Sequence, residues 1–320
     1  MKILETNFVN ILKKIIIILI LRKIIMRIET QTSPKNFKGF IPESTLKELY
    51  RQNTPESLKA LKSCLGFNAV RRGAYNINPD KIAREIQDKF NINTEFGNNP
   101  LFAAFSALTV NIFQKLGLTQ PTNIFLKDFS GTIYQNKLGI CATNPYDNSL
   151  YRKFNKDFPL RSVIMNQLQN WDCIQERMLE LKKQKLLSTS HFLAPFIHEF
   201  IHSAHLDNLI NKYGNGSKIM CKLQKEFKNA NTIALIKKET GNYASTSPCE
   251  MLAEEMTELI VDTLNDKTLM PNEMIFKMQR AKEPFNMDFL INACWNGDIA
   301  KIELFRKRKN KLIEFLKNNS

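Results

Sequence analysis

The chain has 320 residues, of which 43% are hydrophobic and 24% are charged. These proportions are ordinary for a globular protein and exclude a collagen-like or extended low-complexity chain, while the length allows one large or two small domains. The six cysteines are widely spaced and form no CxxC pair, which favours reduced thiols over a disulfide framework.

The net charge of +15 is concentrated towards the two ends of the chain. Residues 1–40 hold eight Lys or Arg against two acidic residues, and residues 298–320 hold seven against three. Such basic runs are usually solvated, and no zinc-finger or aromatic-basic recognition pattern accompanies them. We therefore predict no specific nucleic-acid partner.

Residues 1–40 are predicted to be a basic and apolar leader followed by a polar linker. The apolar run at residues 15–21 follows Lys13 and Lys14, and it is too short to span a bilayer as a helix. No small-residue cleavage site follows closely. We expect neither a cleavable signal peptide nor a transmembrane span. A weak membrane-surface contact through residues 1–30, a degenerate export signal and a true start at Met26 are the alternatives for this segment. A cytoplasmic and a secreted location both stay open.

Residues 41–100 are predicted to form a helical N-terminal region, because successive segments open on a turn residue and continue with apolar residues at helical spacing. A buried helix is expected over residues 101–117. Four short β-prone runs within residues 122–166 predict a small mixed or antiparallel sheet. Further helices are expected over residues 167–185, 218–238 and 248–265. The fold class is therefore predicted to be α+β and rich in helix, with a basic helical C-terminal tail.

The most informative motif is HEFIH at residues 198–202. On an α-helix, His198 and His202 lie one turn apart on the same face, so two imidazole nitrogens can bind one metal ion. The intervening Glu199 is predicted to be the general base that takes a proton from the attacking water, as this motif provides in metallopeptidases. Pro195 suits a position near the helix start. A histidine cluster without metal is the alternative interpretation.

A catalytic tetrahedral zinc ion needs a third protein ligand besides two histidines. The extended pattern HExxHxxGxxH is absent, because positions 205 and 208 hold His and Asn. A downstream acidic residue is left, and Glu250 is the best candidate. Glu254 and Glu255 are the fallback ligands.

The helix expected from Pro248 onwards gives these acidic residues distinct roles. Glu250 and Glu254 would lie one turn apart on one face, so the first can bind the metal while the second orients a histidine. Tyr243 precedes that helix and is predicted to donate its hydroxyl to the developing oxyanion.

Each of these residues also has a simpler interpretation. Ser247 and Glu250 match an S-x-x-E capping box, in which the glutamate binds a backbone amide instead of a metal. Tyr243 can be a half-buried turn residue. His205, one turn beyond the second histidine of the motif, is predicted to be a neighbour of the metal ligands, and His191 is expected only to begin the helix.

The segments HEFIHSA and YASTSPCEMLAEEM resemble the zinc peptidase domain of anthrax lethal factor and related gluzincins, whose pattern is HEFxHA, then Tyr, six residues, Glu and xxAE. The resemblance implies one zinc ion per chain with the ligands His198, His202 and Glu250. It also implies Glu199 as the general base and Tyr243 as the hydrogen-bond donor to the transition state.

The resemblance further implies a zincin-like catalytic domain over residues 101–320, following the helical region. His205 is a departure, because the family motif requires no histidine there. We therefore predict a zinc-dependent endopeptidase whose partners are peptide or protein substrates. The alternative is a catalytically silent zincin-fold module that binds metal for stability or for recognition of a partner.

Overall fold

A computed structural model describes residues 40–142, 148–213, 227 and 230–267 of the chain. The predicted leader, most of the helix expected at residues 218–238 and the basic C-terminal tail lie outside these residues. The membrane-surface contact predicted for residues 1–30 therefore also lies outside them.

The described part is an α+β fold, rich in helix, with one small sheet, as the sequence predicts. The helices are α1 (Glu43–Gln52), α2 (Pro55–Ala74), α3 (Pro79–Phe90), α4 (Pro100–Lys115), α5 (Asn148–Phe154), α6 (Ile174–Lys183), α7 (Ala194–Tyr213), α8 (Ala230–Glu239) and α9 (Pro248–Lys267). The strands are β1 (Asn93–Glu95), β2 (Asn123–Lys127), β3 (Gly139–Cys141) and β4 (Ser162–Asn166). Short 3-10 turns lie at Trp171–Cys173 and Ala244–Thr246.

Polar side chains cap three of the early helices, α2, α3 and α4. Thr54 Oγ1 accepts a hydrogen bond from the Ser57 N–H at 3.0 Å, and Asn99 Oδ1 accepts one from the Phe102 N–H at 2.9 Å. Proline occupies the first position of α2, α3 and α4, where its missing N–H costs no helical hydrogen bond. These local signals explain why the helices begin where the sequence predicts.

The sheet is mixed, with the strand order β1-β2-β4-β3. Strand β2 pairs in parallel with β1 and β4, with Phe125 opposite Ile164. Strand β3 pairs antiparallel with β4, with Ile140 also opposite Ile164, and it lies at the sheet edge next to α7. This arrangement places the HEFIH helix against β3.

Two details of the sheet differ from the sequence prediction. Residues 93–95, assigned to the helical region, form β1, whose Thr94 lies opposite Ile124 of β2. The β-prone run at residues 131–135 forms turns instead of a strand, because Gly131 has a φ of 71° and the Thr132 hydroxyl donates to the Phe129 carbonyl at 2.7 Å.

The hydrophobic core contains residues from both sides of the domain boundary predicted at residue 100. Helix α4 is buried along most of its length, and Phe102 lies 5.1 Å from Phe196 of α7 between ring centroids. Phe113 lies at the same distance from Phe200, one turn further along α7. Each fully buried phenylalanine contributes about 2–3 kcal/mol to folding. Leucines and phenylalanines of α1 and α2 belong to the same cluster, so the helical region packs directly on the body that carries α7.

Within the described part of the chain, no helix is long and apolar enough to cross a membrane. The four cysteines found there, Cys64, Cys141, Cys173 and Cys249, are not joined in disulfides.

Candidate metal centre

Two imidazoles of α7 and one carboxylate of α9 converge on a common point. The Nε2 atoms of His198 and His202 lie 3.0 Å apart, and Glu250 Oε2 lies 2.8 Å from the first and 3.1 Å from the second. Among the residues that the structure describes, these three form the one group of potential metal ligands that converges, with their ligand atoms within 4.8 Å of one another. The neighbouring Glu255 is not part of this group.

The three side chains fit a zinc ion. A tetrahedral zinc ion with bonds of about 2.0–2.1 Å holds its ligand atoms about 3.3 Å apart. The observed separations of 2.8–3.1 Å are close to that value. Two imidazole nitrogens and one carboxylate oxygen also form a donor set that zinc accepts, with a fourth position left for water or substrate.

The start of α9 brings Glu250 to the histidines. Ser247 Oγ accepts a hydrogen bond from the Glu250 N–H at 3.2 Å and so caps the helix. The Glu250 carboxylate meanwhile faces His198 and His202. Ser247 therefore caps the helix through the Glu250 backbone amide, whereas the Glu250 side chain, which the capping-box interpretation assigned to a backbone amide, faces the histidines.

The segment before α9 is fixed to the loop that follows α6. The Asn242 N–H donates to the Lys185 carbonyl at 2.8 Å, and the Tyr243 N–H donates to the Leu186 carbonyl at 3.0 Å. Gly241 has a φ of 143°, and a Cβ atom there would lie 3.2 Å from the Leu186 carbonyl oxygen. Only glycine permits this close approach without strain. This contact with the loop after α6 places Tyr243 beside the histidines.

Tyr243 lies in a turn, but its side chain belongs to the cluster. Its ring centroid is 5.6 Å from that of His198, and its hydroxyl donates a hydrogen bond to Glu250. Burial, together with the negative charges of Glu250 and Glu199, raises the pKa of Tyr243 above its usual value. The phenol therefore stays protonated and keeps its capacity to donate a hydrogen bond.

Glu254 contacts the other side of the His198 ring. Its Oε1 lies 2.9 Å from His198 Nδ1, and its Oε2 accepts a hydrogen bond from the Ser188 N–H at 2.7 Å. Only 3% of Glu254 is exposed. Such a carboxylate fixes the tautomer and orientation of the imidazole, so that Nε2 faces the point of convergence.

Substitution of Glu254 by Gln is expected to weaken zinc binding by about 10–100-fold. The amide can still accept from the Ser188 N–H, but it cannot supply the negative charge beside His198 Nδ1. Competition with a chromophoric chelator measures the affinity. Glu258→Gln, one turn further along α9, is the matched control, and equal affinities of the two variants would contradict the role of Glu254.

Glu199 points from α7 towards the sheet edge and is only 9% exposed. Burial raises the pKa of its carboxyl group, and the nearby His198 and His202 partly oppose this effect. A raised pKa brings a carboxylate closer to the neutral range, in which a general base accepts and releases protons most effectively. The carboxyl group of Glu199 is therefore buried beside the converging histidines, which is where the sequence predicts a general base.

Gly139 makes room for Glu199. A Cβ atom at this position of β3 would lie 3.2 Å from Glu199 Cγ and 2.5 Å from Met165 Sδ. The absent side chain thus lets β3 pack directly against α7. No motif in the sequence assigns Gly139 to the site, although a glycine inside a β-prone run is a known sign of close backbone approach.

Gly139→Ala is expected to displace Glu199, because the flexible Met165 can move aside, and so to reduce the peptide hydrolysis that the sequence predicts by about tenfold. The free energy of unfolding should fall by about 1–3 kcal/mol through overpacking. Peptide turnover, zinc content and thermal unfolding are the measurements. Gly66→Ala is the control, because its Cβ would make an ordinary 3.5 Å contact with Phe192. Parent-like turnover of Gly139→Ala would contradict this positioning role.

The two remaining histidines flank the HEFIH motif in the sequence. His205 continues α7 one turn beyond His202, and its side chain lies outside the described residues. His191 precedes α7 and is buried, with its ring stacked 4.5 Å from that of Phe192 and its Nδ1 accepting the Leu193 N–H at 3.1 Å. His191 therefore lies before the helix instead of at its first residue, and its Nδ1 binds the backbone amide of Leu193.

Burial lowers the pKa of His191 from 6.5 to about 3. Between pH 3 and pH 6.5, the unfolded chain therefore binds a proton at His191 and the folded chain does not. The contribution of neutral His191 to the free energy of unfolding is complete above pH 6.5. This contribution decreases as the pH falls towards 3, by up to about 1.4 kcal/mol per pH unit. His191→Asn, which retains an acceptor near Nδ1, should flatten the dependence of the free energy of unfolding on pH between these limits. Chemical denaturation at several pH values measures it, and equal slopes would exclude the effect.

A cleft of about 430 Å³ lies beside the cluster and is lined by His198, Glu199, Tyr243 and Glu254. Glu199 and Tyr243 therefore border the space that a ligand would occupy. Comparison with protein-family models, with characterised proteins and with solved structures finds no match to this chain.

Proposed function

We propose that this protein is a zinc-dependent endopeptidase of the gluzincin type, and that its α+β fold is zincin-like. The observation that carries the proposal is the convergence of His198, His202 and Glu250 within 3.1 Å beside the buried carboxylate of Glu199. A metal site alone needs no such carboxylate. The cleft that reaches Glu199 and Tyr243 adds a place for a substrate.

Each residue has a distinct part in this proposal. His198, His202 and Glu250 hold one zinc ion per chain, which when bound polarises a peptide carbonyl and lowers the pKa of water. Glu199 takes a proton from the attacking water and passes it to the leaving amine. Tyr243 donates its hydroxyl to the developing oxyanion, for which it must turn from Glu250 towards the substrate.

The test uses the full chain, loaded with one equivalent of zinc and incubated with a diverse peptide library. Mass spectrometry should detect internal cleavage that stops on removal of zinc by a chelator and returns when zinc is restored. A protein that holds one zinc ion and cleaves nothing would overturn the endopeptidase proposal and favour the silent metal-binding module.

A further inference from the structure

We propose that the cleft beside the metal cluster binds peptide segments in which a bulky apolar side chain stands next to an Asp or Glu residue. This inference names the substrate class for the proposed peptidase and rests on that function for turnover. The binding preference itself follows from the walls of the cleft and can be measured separately.

One wall of the cleft is apolar. Leu138 precedes β3, Leu181 lies in α6, and Leu187 lies in the segment before α7. All three are partly buried and pack against the main core, so their positions are fixed. Ala194 and Pro195 extend this wall at the start of α7. An apolar wall in a cavity of about 430 Å³ favours a large aliphatic or aromatic side chain.

Two cations, Lys137 and Arg177, lie on a shared rim of the same cleft. Gln169 joins them, since its amide donates to the Lys137 carbonyl at 3.5 Å and its oxygen accepts a hydrogen bond from Arg177. The fully buried Asn166 donates a further hydrogen bond to the Lys137 carbonyl at 2.9 Å. The backbone at Lys137 is therefore held in place, and both cationic side chains line the same cleft.

Neither cation forms a direct ion pair with a carboxylate among the described residues, although the charge of Lys137 interacts with that of Glu199 at longer range. The carboxylates that line the cleft have other partners or roles, because Glu254 contacts His198 and Glu199 is the proposed base. A ligand carboxylate at the rim can therefore pair directly with Arg177, whose hydrogen bond goes to the neutral Gln169, and with Lys137, which has no direct ion pair. A lysine or arginine at that place in the ligand would be repelled, which adds discrimination.

The binding experiment uses the zinc-loaded Glu199→Gln variant of the full chain, so that no probe is hydrolysed. The probes are fluorescently labelled octapeptides of alanine that carry one Leu next to one Glu, in both orders. Matched peptides replace the Glu by Gln or Lys, or the Leu by Ala. Of the two Leu-Glu orders, the one that binds more tightly should bind about three- to tenfold more tightly than the matched peptide with Gln in place of Glu, as measured by fluorescence anisotropy. The matched peptide with Lys should bind more weakly still. Replacing Leu by Ala should also weaken binding.

Variants in the Glu199→Gln background identify the residues responsible. Arg177→Gln and Lys137→Gln should each reduce the preference for Glu over Gln, and Arg177→Glu should shift it towards Lys. Lys183→Gln, an exposed cation of α6 outside the cleft lining, should leave the preference unchanged. A preference that survives loss of both cations would overturn the inference, as would no binding of any Leu-Glu peptide at up to about 1 mM.

Failure of this inference is distinguishable from failure of the proposed function. Cleavage by the parent protein with no preference for acidic neighbours would overturn the specificity and leave the peptidase. Tighter binding of Leu-Glu peptides without any cleavage by the parent would support the binding preference and overturn the peptidase.

Discussion

Glu199→Gln is expected to leave one zinc ion bound while reducing peptide hydrolysis by about 10²–10⁴-fold. The amide has nearly the shape of the carboxylate, so the packing of Glu199 against Gly139 is preserved. It cannot accept the proton of the attacking water. Zinc content by mass spectrometry and steady-state hydrolysis of a library-derived peptide measure the two effects.

The control for Glu199→Gln is Glu258→Gln, which makes the same chemical change on α9 away from the cluster. It should keep both zinc and turnover. Retained hydrolysis in Glu199→Gln would refute the proposed general base. Loss of zinc in that variant would instead indicate that Glu199 contributes to the metal site.

Substitution of Glu250 by Gln is expected to weaken zinc binding by at least about 100-fold and to abolish hydrolysis at limiting zinc. Its Oε2 lies 2.8 Å and 3.1 Å from the Nε2 atoms of His198 and His202, so the change removes the one anionic ligand of the cluster. The effect should exceed that of Glu254→Gln, which acts only through the orientation of His198. Zinc titration of the purified variants measures both.

Ser247→Ala separates metal binding from helix capping. It removes the hydroxyl that accepts the Glu250 N–H and should cost about 1 kcal/mol of stability. The Glu250 carboxylate remains, so zinc affinity should stay near that of the parent. If Ser247→Ala lost zinc as severely as Glu250→Gln, the cap rather than the carboxylate would be the essential contribution.

The local sequence was sufficient to predict the geometry of the HEFIH helix and of the first turn of α9. Residues four apart on a helix share a face whatever the rest of the chain does, so His198 and His202 were predicted as a pair, as were Glu250 and Glu254. Apolar spacing likewise predicted the buried helix α4 and the α+β class. The metal and the reaction remain proposals.

Tertiary structure alone decided which distant segments meet. The contact of Gly139 with Glu199, the bond from Ser188 to Glu254, and the shared rim of Lys137 and Arg177 join residues far apart in the chain. The pairing of β1 with β2 was missed for the same reason, since a three-residue strand has too short a pattern to be distinguished from a loop. Helical periodicity is a local property of the backbone, whereas these contacts depend on how the whole core packs, which no short pattern specifies.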